Sequence, residues 1–206
     1  MAPMELQDVV RRRRMVRRYS PRPVARELVD LALRNAVRAP SAGHSQGWAF
    51  LVLEERADVE RFWAASTPPE RAARPDPWLL GMRAAPVVIV PMSSQALYER
   101  RYAEPDKASP LHGERWSVPY WQLDAAMASL MILLTAVDQG LGACFFGIPP
   151  SREAEVLREF GVPAEFSPVG ALTLGYEAEG GTPGGSGTSR PRRATDDVVH
   201  RGHWHG

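Results

Sequence analysis

Residues 121–147 read WQLDAAMASLMILLTAVDQG followed by LGACFFG, and the order of these two pieces decides the fold class. The first piece predicts a long helix, apolar nearly all round and so directed through a core. Gly140 stands where a C-terminal cap belongs. The second piece, with Ile148, reads as a short buried strand or extended segment. Gly140-Leu141-Gly142 offers Gly-x-Gly, but a dinucleotide-binding fingerprint needs its strand before and its helix after. Here the helix comes first, which excludes a Rossmann unit. A P-loop is excluded too, because Lys107, the only lysine, follows Asp106 and not a glycine-rich loop.

Working outward, residues 48–53 and 85–91 are short apolar runs of β-formers, and 168–176 reads as a last core strand. Leu6, Val9 and Val10 have helical spacing, as do Leu28, Leu31, Ala32 and Ala36 within 24–38. Further helices are expected over 57–65 and 152–160, with Ser151 available as a cap. Pro68, Pro69, Pro75 and Pro77 make 67–77 at least partly irregular. Residues 98–116 read as a polar, charged insertion with aromatic residues, a candidate lid or dimer contact. Residues 178–190 read as a flexible linker and 191–206 as a C-terminal arm. With no repeat and no second core, one α+β domain over 1–206 is expected.

Composition narrows the function classes. The 206 residues are 44% hydrophobic and 24% charged, the profile of a globular protein rather than a disordered or collagen-like chain. Twenty-five basic residues against twenty-four acidic ones leave a net charge of +1, which gives nucleic acid no global field to follow. Arg11 to Arg18 alone offers a DNA-binding rival no reading module. Cys144 is the only cysteine, so no internal disulfide forms, and in an apolar strand it reads as a small buried hydrophobe. The apolar run 125–137 is short for a bilayer span, and the first residues lack an apolar signal core. A cytoplasmic protein without membrane contact is the expectation. His200, His203 and His205 lie in the terminal arm, where fixed metal geometry is not expected.

Two constellations could carry chemistry. Arg12-Arg13-Arg14-Met15-Val16-Arg17-Arg18-Tyr19 concentrates guanidinium forks that suit a phosphate dianion, or else forms a solvated helix end. Pro40-Ser41-Ala42-Gly43-His44-Ser45-Gln46-Gly47-Trp48 joins a helix to a strand. Its Ser41, His44 and Gln46 can hydrogen-bond a planar polar ring, or it is an ordinary connection.

Taken in order, these segments resemble the nitroreductase family of FMN-dependent oxidoreductases. The arginine motif resembles Arg-Arg-Ser-x-Arg-x-Phe through Arg13, Arg14, Met15, Arg17 and Tyr19. The loop resembles Pro-Ser-x-x-Asn-x-Gln-Pro-Trp through Pro40, Ser41, His44, Gln46, Gly47 and Trp48. Gly-Leu-Gly-x-Cys-x-x-Gly at 140–147 and the late Arg190 and Arg192 complete the series. Met15 stands in place of Ser, His44 in place of Asn and Gly47 in place of Pro.

The resemblance implies a central mixed or antiparallel sheet flanked by helices, in an intertwined homodimer with FMN at the interface. By position it implies that Arg13, Arg14, Met15 and Arg17, with Arg190 or Arg192, hold the phosphate and ribityl end. Pro40, Ser41, Ala42, His44 and Gln46 would line the flavin from the partner subunit. The backbone of Phe146 and Gly147 would meet the flavin N5 and O4 edge, with no obligate catalytic side chain and no metal. The implied activity is ping-pong electron transfer from NADH or NADPH to a nitroaromatic, quinone or similar electrophile. Two alternatives stay open: a biosynthetic flavin-dependent dehydrogenase or oxidase on the same scaffold, and a non-catalytic flavin-binding or flavin-free protein.

Overall fold

Alternation along four apolar strands builds two cores on one sheet. In the computed structural model, which describes residues 4–107, 116–180 and 190–204, these strands are β1 (Trp48–Leu53), β2 (Val87–Ser93), β3 (Gly142–Phe146) and β5 (Ala171–Gly175). A two-residue strand, β4 (Ser167–Pro168), pairs with β2. The order across the sheet is β1-β2-β5-β3, and every strand pair is antiparallel. Successive side chains point to opposite faces. Val88, Val90, Met92, Cys144 and Ala171 therefore enter one core, and Val87, Ile89, Ala143, Leu172 and Leu174 the other. Burial on both faces is why the strands read as unbroken apolar runs.

Helices α3 (Arg56–Ser66), α5 (Pro77–Arg83) and α8 (Pro150–Glu159) supply Val59, Phe62, Trp63, Leu79, Met82 and Val156 to the first core. The second core takes Val29, Ala32 and Ala36 from α2 (Arg26–Ala36) and Ala128, Ile132, Leu133 and Ala136 from α7 (Tyr120–Asp138). The chain begins with α1 (Leu6–Arg12), which lies on α7. Two connecting helices remain, α4 (Pro69–Ala73) and α6 (Gln95–Tyr102). Caps explain several boundaries. Asp76 accepts the Leu79 N–H at 2.7 Å ahead of Pro77, and Ser94 accepts the Leu97 N–H at 3.2 Å.

The structure corrects three expectations. Ser151 caps nothing, because α8 starts one residue earlier at Pro150, whose fixed φ suits a first helical turn. The last strand is split at Val169–Gly170, where Gly170 takes φ 153° and a Cβ would stand 2.6 Å from the ring of Phe145. The stretch 67–77 is partly irregular, as expected, around the short helix α4. The insertion does not begin at Tyr98, whose side chain is fully buried within α6; residues 108–115 lie outside the described residues. Most of the 178–190 linker, at 181–189, is likewise outside them.

Helix α7 ends as expected. Gly140 takes φ 71°, and the Leu141 N–H reaches back to the Ala136 carbonyl at 2.7 Å. Among the described residues it is long and apolar enough, by length and composition, to cross a membrane. It packs instead on α2, β2 and β3. It is not buried all round, however: Tyr120, Leu123, Met127 and Leu130 share one exposed stripe.

Candidate functional site

The arginine motif is not a helix end floating in solvent. Helix α1 stops at Arg12, and the chain then meets β3 at Met15–Val16 and the segment after β5 at Arg18–Ser20. Met15 forms a parallel bridge with Ala143, and the Val16 N–H donates to the Ala143 carbonyl at 3.0 Å. Met15 packs against both cores, so the residue standing in place of Ser serves as an apolar link. Tyr19 anchors the far end, donating from its buried hydroxyl to the Val16 carbonyl at 2.8 Å, with Thr173 Oγ1 at 2.9 Å. Burial pushes the Tyr19 phenol far up and keeps it neutral.

The guanidiniums along this edge are not equivalent. Arg13 is half-buried, and its Nη1 has no hydrogen-bond partner among the described residues. A buried charged donor left without an acceptor is costly, and an anion at that point would remove the cost. Arg14 is ion-paired with Glu177. Arg17 donates to the Met15 carbonyl at 3.4 Å and opposes the burial that pushes the Cys144 thiol up. Arg190 and Arg192 are exposed and make no hydrogen bond or ion pair with the other described residues.

At the end of β3, Phe146 and Gly147 form the second part of this edge. Gly147 is exposed, and a Cβ built there would meet nothing within 4 Å. From Ala143 to Gly147 the strand advances about 13 Å. The edge therefore offers cations at one end and an open backbone turn at the other. Phe146 is held from behind by Trp63, Phe62 and Trp78.

The loop 40–46 is built by strain and anchoring. Gly43, His44 and Gln46 take φ of 61°, 54° and 49°, and the last two are the positive-φ non-glycine residues of the described chain. The Gln46 N–H donates to Ser41 Oγ at 2.8 Å and the Ser45 hydroxyl to the Ala42 carbonyl at 2.7 Å. Asp124, buried on α7, accepts the Ala42 N–H at 3.0 Å, and the Ser41 hydroxyl also hydrogen-bonds it. Burial holds this carboxyl above its ordinary range, and those two hydrogen bonds pull the other way. Arg101 Nε donates to the Gly43 carbonyl at 2.9 Å, while its Nη atoms are fixed on Asp106 at 2.8 Å. Pro40, His44 and Gln46 are exposed; Ser41 and Ala42 are half-buried.

One chain does not close these pieces into a single site. The loop enters β1, and the Phe146–Gly147 turn leaves β3, at the same end of the sheet. They sit on opposite edges, because β2 and β5 lie between. Three strand spacings put them about 14 Å apart across the sheet alone. Sequence reading marked both segments as candidates but not Asp124, Arg101 and Trp63. Each acts on a partner distant in sequence, and only the lone carboxylate within an apolar helix was a visible signal for Asp124.

Comparison with known proteins fits this geometry. Residues 10–176 match the family model described as the nitroreductase family. Over 179 residues the chain is 30% identical to a Methanothermobacter thermautotrophicus protein provisionally named NADH dehydrogenase/NAD(P)H nitroreductase, covering 85% of this chain and 79% of that one. A provisionally named Desulfovibrio desulfuricans nitroreductase, solved in complex with FMN, superposes with a TM-score of 0.70 at 21% identity, covering 98% of this chain and 99% of that one. A nitroreductase family protein of Streptococcus pneumoniae gives a TM-score of 0.71 at 21% identity, covering 96% and 100% respectively. The match over most of its length makes this chain a member of the nitroreductase family.

Proposed function

We propose that this protein is an FMN-dependent oxidoreductase that works as a cytoplasmic homodimer. The observation that carries the reading is Arg13, whose buried Nη1 lacks an acceptor among the described residues, on the edge that ends in the open Gly147 turn. That edge fits an elongated ligand with an anionic end and a flat, hydrogen-bonding ring. Arg13 and Arg17 would hold the phosphate, with Arg190 or Arg192 of the terminal arm closing on it. The backbone of Phe146 and Gly147 would face the ring edge. Ser41, Ala42, His44 and Gln46 would come from the second copy, since the loop of the same chain is on the wrong edge of the sheet.

FMN, when bound, supplies two-electron chemistry between NADH or NADPH and an electrophile such as a nitroaromatic or quinone. The protein's part is to bind, orient and exclude water. Backbone donors at the Gly147 turn would favour a negatively charged ring, and the guanidiniums at the other end would favour the phosphate. No side chain of the edge need move a proton, in keeping with the neutral, buried Tyr19 and Cys144.

The exposed stripe Tyr120, Leu123, Met127 and Leu130, with Leu6 and Val10 of α1, supports the pairing of two copies. The test is the absorbance spectrum of the purified protein, before and after addition of FMN and then of each nicotinamide. Yellow protein that bleaches with NADH or NADPH is expected. Protein that stays colourless with excess FMN overturns the reading.

A further inference from the structure

We infer that Asp124 and Arg101 are positioning residues that clamp the cofactor loop from two sides and set its affinity for FMN. The inference rests on the proposed FMN site. Its starting point is an anomaly: a carboxylate only 2% exposed on a helix whose other buried residues are Ala, Ser, Thr, Ile and Leu. Asp124 enters no ion pair with the other described residues, so none of them offsets its burial with a cation. A buried charge persists where it satisfies something else. Here it satisfies the Ala42 N–H and the Ser41 hydroxyl.

These bonds fall at the start of the left-handed run. Ser41 is extended at φ −142°, and Gly43 follows at φ 61°. Asp124 fixes the peptide entering that reversal. On its other side Arg101 fixes the Gly43 carbonyl, and the Tyr102 ring leaves no room for a Cβ, which would stand 2.8 Å away. The left-handed conformations of His44 and Gln46 are unfavourable by themselves and need such external fixing. Ser41 Oγ passes the constraint on to Gln46. The loop atoms proposed to meet the flavin are thus placed by two side chains that do not themselves line it.

The test compares D124N, D124A and R101M with wild type by two readings: FMN affinity from flavin fluorescence, and amide exchange over 41–47 in the ligand-free protein. Asn keeps an oxygen for Ala42, so D124N should bind FMN within about threefold of wild type. D124A and R101M should lose about tenfold or more and exchange faster across the loop. A D124A protein that melts lower but keeps both readings at wild-type values overturns the clamp. Should D124A not fold, R101M, whose side chain is partly exposed, decides by the same readings. Wild-type protein that never binds FMN removes the site reading, while exchange over 41–47 still decides the clamp.

Discussion

Phe146 lies face to face with Trp63, with ring centroids 5.4 Å apart and planes only 6° from parallel. Phe62 and Trp78 close on the same ring edge-on. The residue that ends β3 therefore has its direction set by two helices, α3 and α5, on one face of the sheet. W63A should cost about 3–5 kcal/mol of stability, as large aromatic truncations do. W63F should cost about 1 kcal/mol, because it also removes an indole N–H that is buried without a partner. Urea unfolding of the two variants checks the difference.

Arg13 and the phosphate can be tested apart from the ring. R13M should weaken FMN about ten- to a hundredfold and leave riboflavin binding unchanged. The ligand-free variant should melt no lower than wild type, since it loses an unpaired buried donor. Fluorescence titration with both flavins, with a thermal melt, measures all three outcomes.

Two glycines should separate folding from function. G147A places its methyl in open space and should leave stability within about 0.5 kcal/mol, while lowering flavin binding or turnover. G43A puts a Cβ 2.8 Å from the Tyr102 ring at φ 61° and should cost at least about 1 kcal/mol. Parallel melting and FMN titration distinguish the two patterns.

Asp124 should give stability a pH dependence of definite sign. Its native pKa is raised above the ordinary 3.8, chiefly by burial. The folded state then holds the proton more tightly than the unfolded chain. Ionisation costs stability, a cost absent below the unfolded pKa and complete above the native one. The stability of D124N relative to wild type should rise as pH increases from the ordinary 3.8 through the raised native pKa. Urea unfolding at stepped pH measures the slope, and a flat difference contradicts it.

Charge on the α7 stripe should break the pairing. Leu123 and Leu130 are each 46% exposed, and M127D or L130D should convert the proposed dimer to a monomer with little loss of fold. Light scattering on a sizing column reads the mass, and FMN titration should show affinity falling with it.

Local chemistry was legible in the sequence, and distant pairing was not. Strand β1 falls on the six residues its apolar run marked, and Gly140 caps the helix it follows. The arginine motif and the 40–46 loop were visible as clusters of donors. Arg14 looked as available as Arg13, but its carboxylate partner stands 163 residues on. Asp124 reaches Ala42 across 82 residues, so spacing carried no trace of the contact. The apolar stripe on α7 was hidden by uniform hydrophobicity, because periodicity is unreadable where every face is greasy.

The separation of the loop from the Gly147 turn by β2 and β5 has a genetic corollary. If each centre draws its arginines from one polypeptide and its loop from the other, two differently crippled alleles can rescue one another. A chain lacking Arg13, mixed with a chain lacking Asp124, would give hybrids in which one centre inherits both lesions and its twin inherits neither. Co-expression of the two weakened forms would then restore flavin affinity and turnover above what either form has alone.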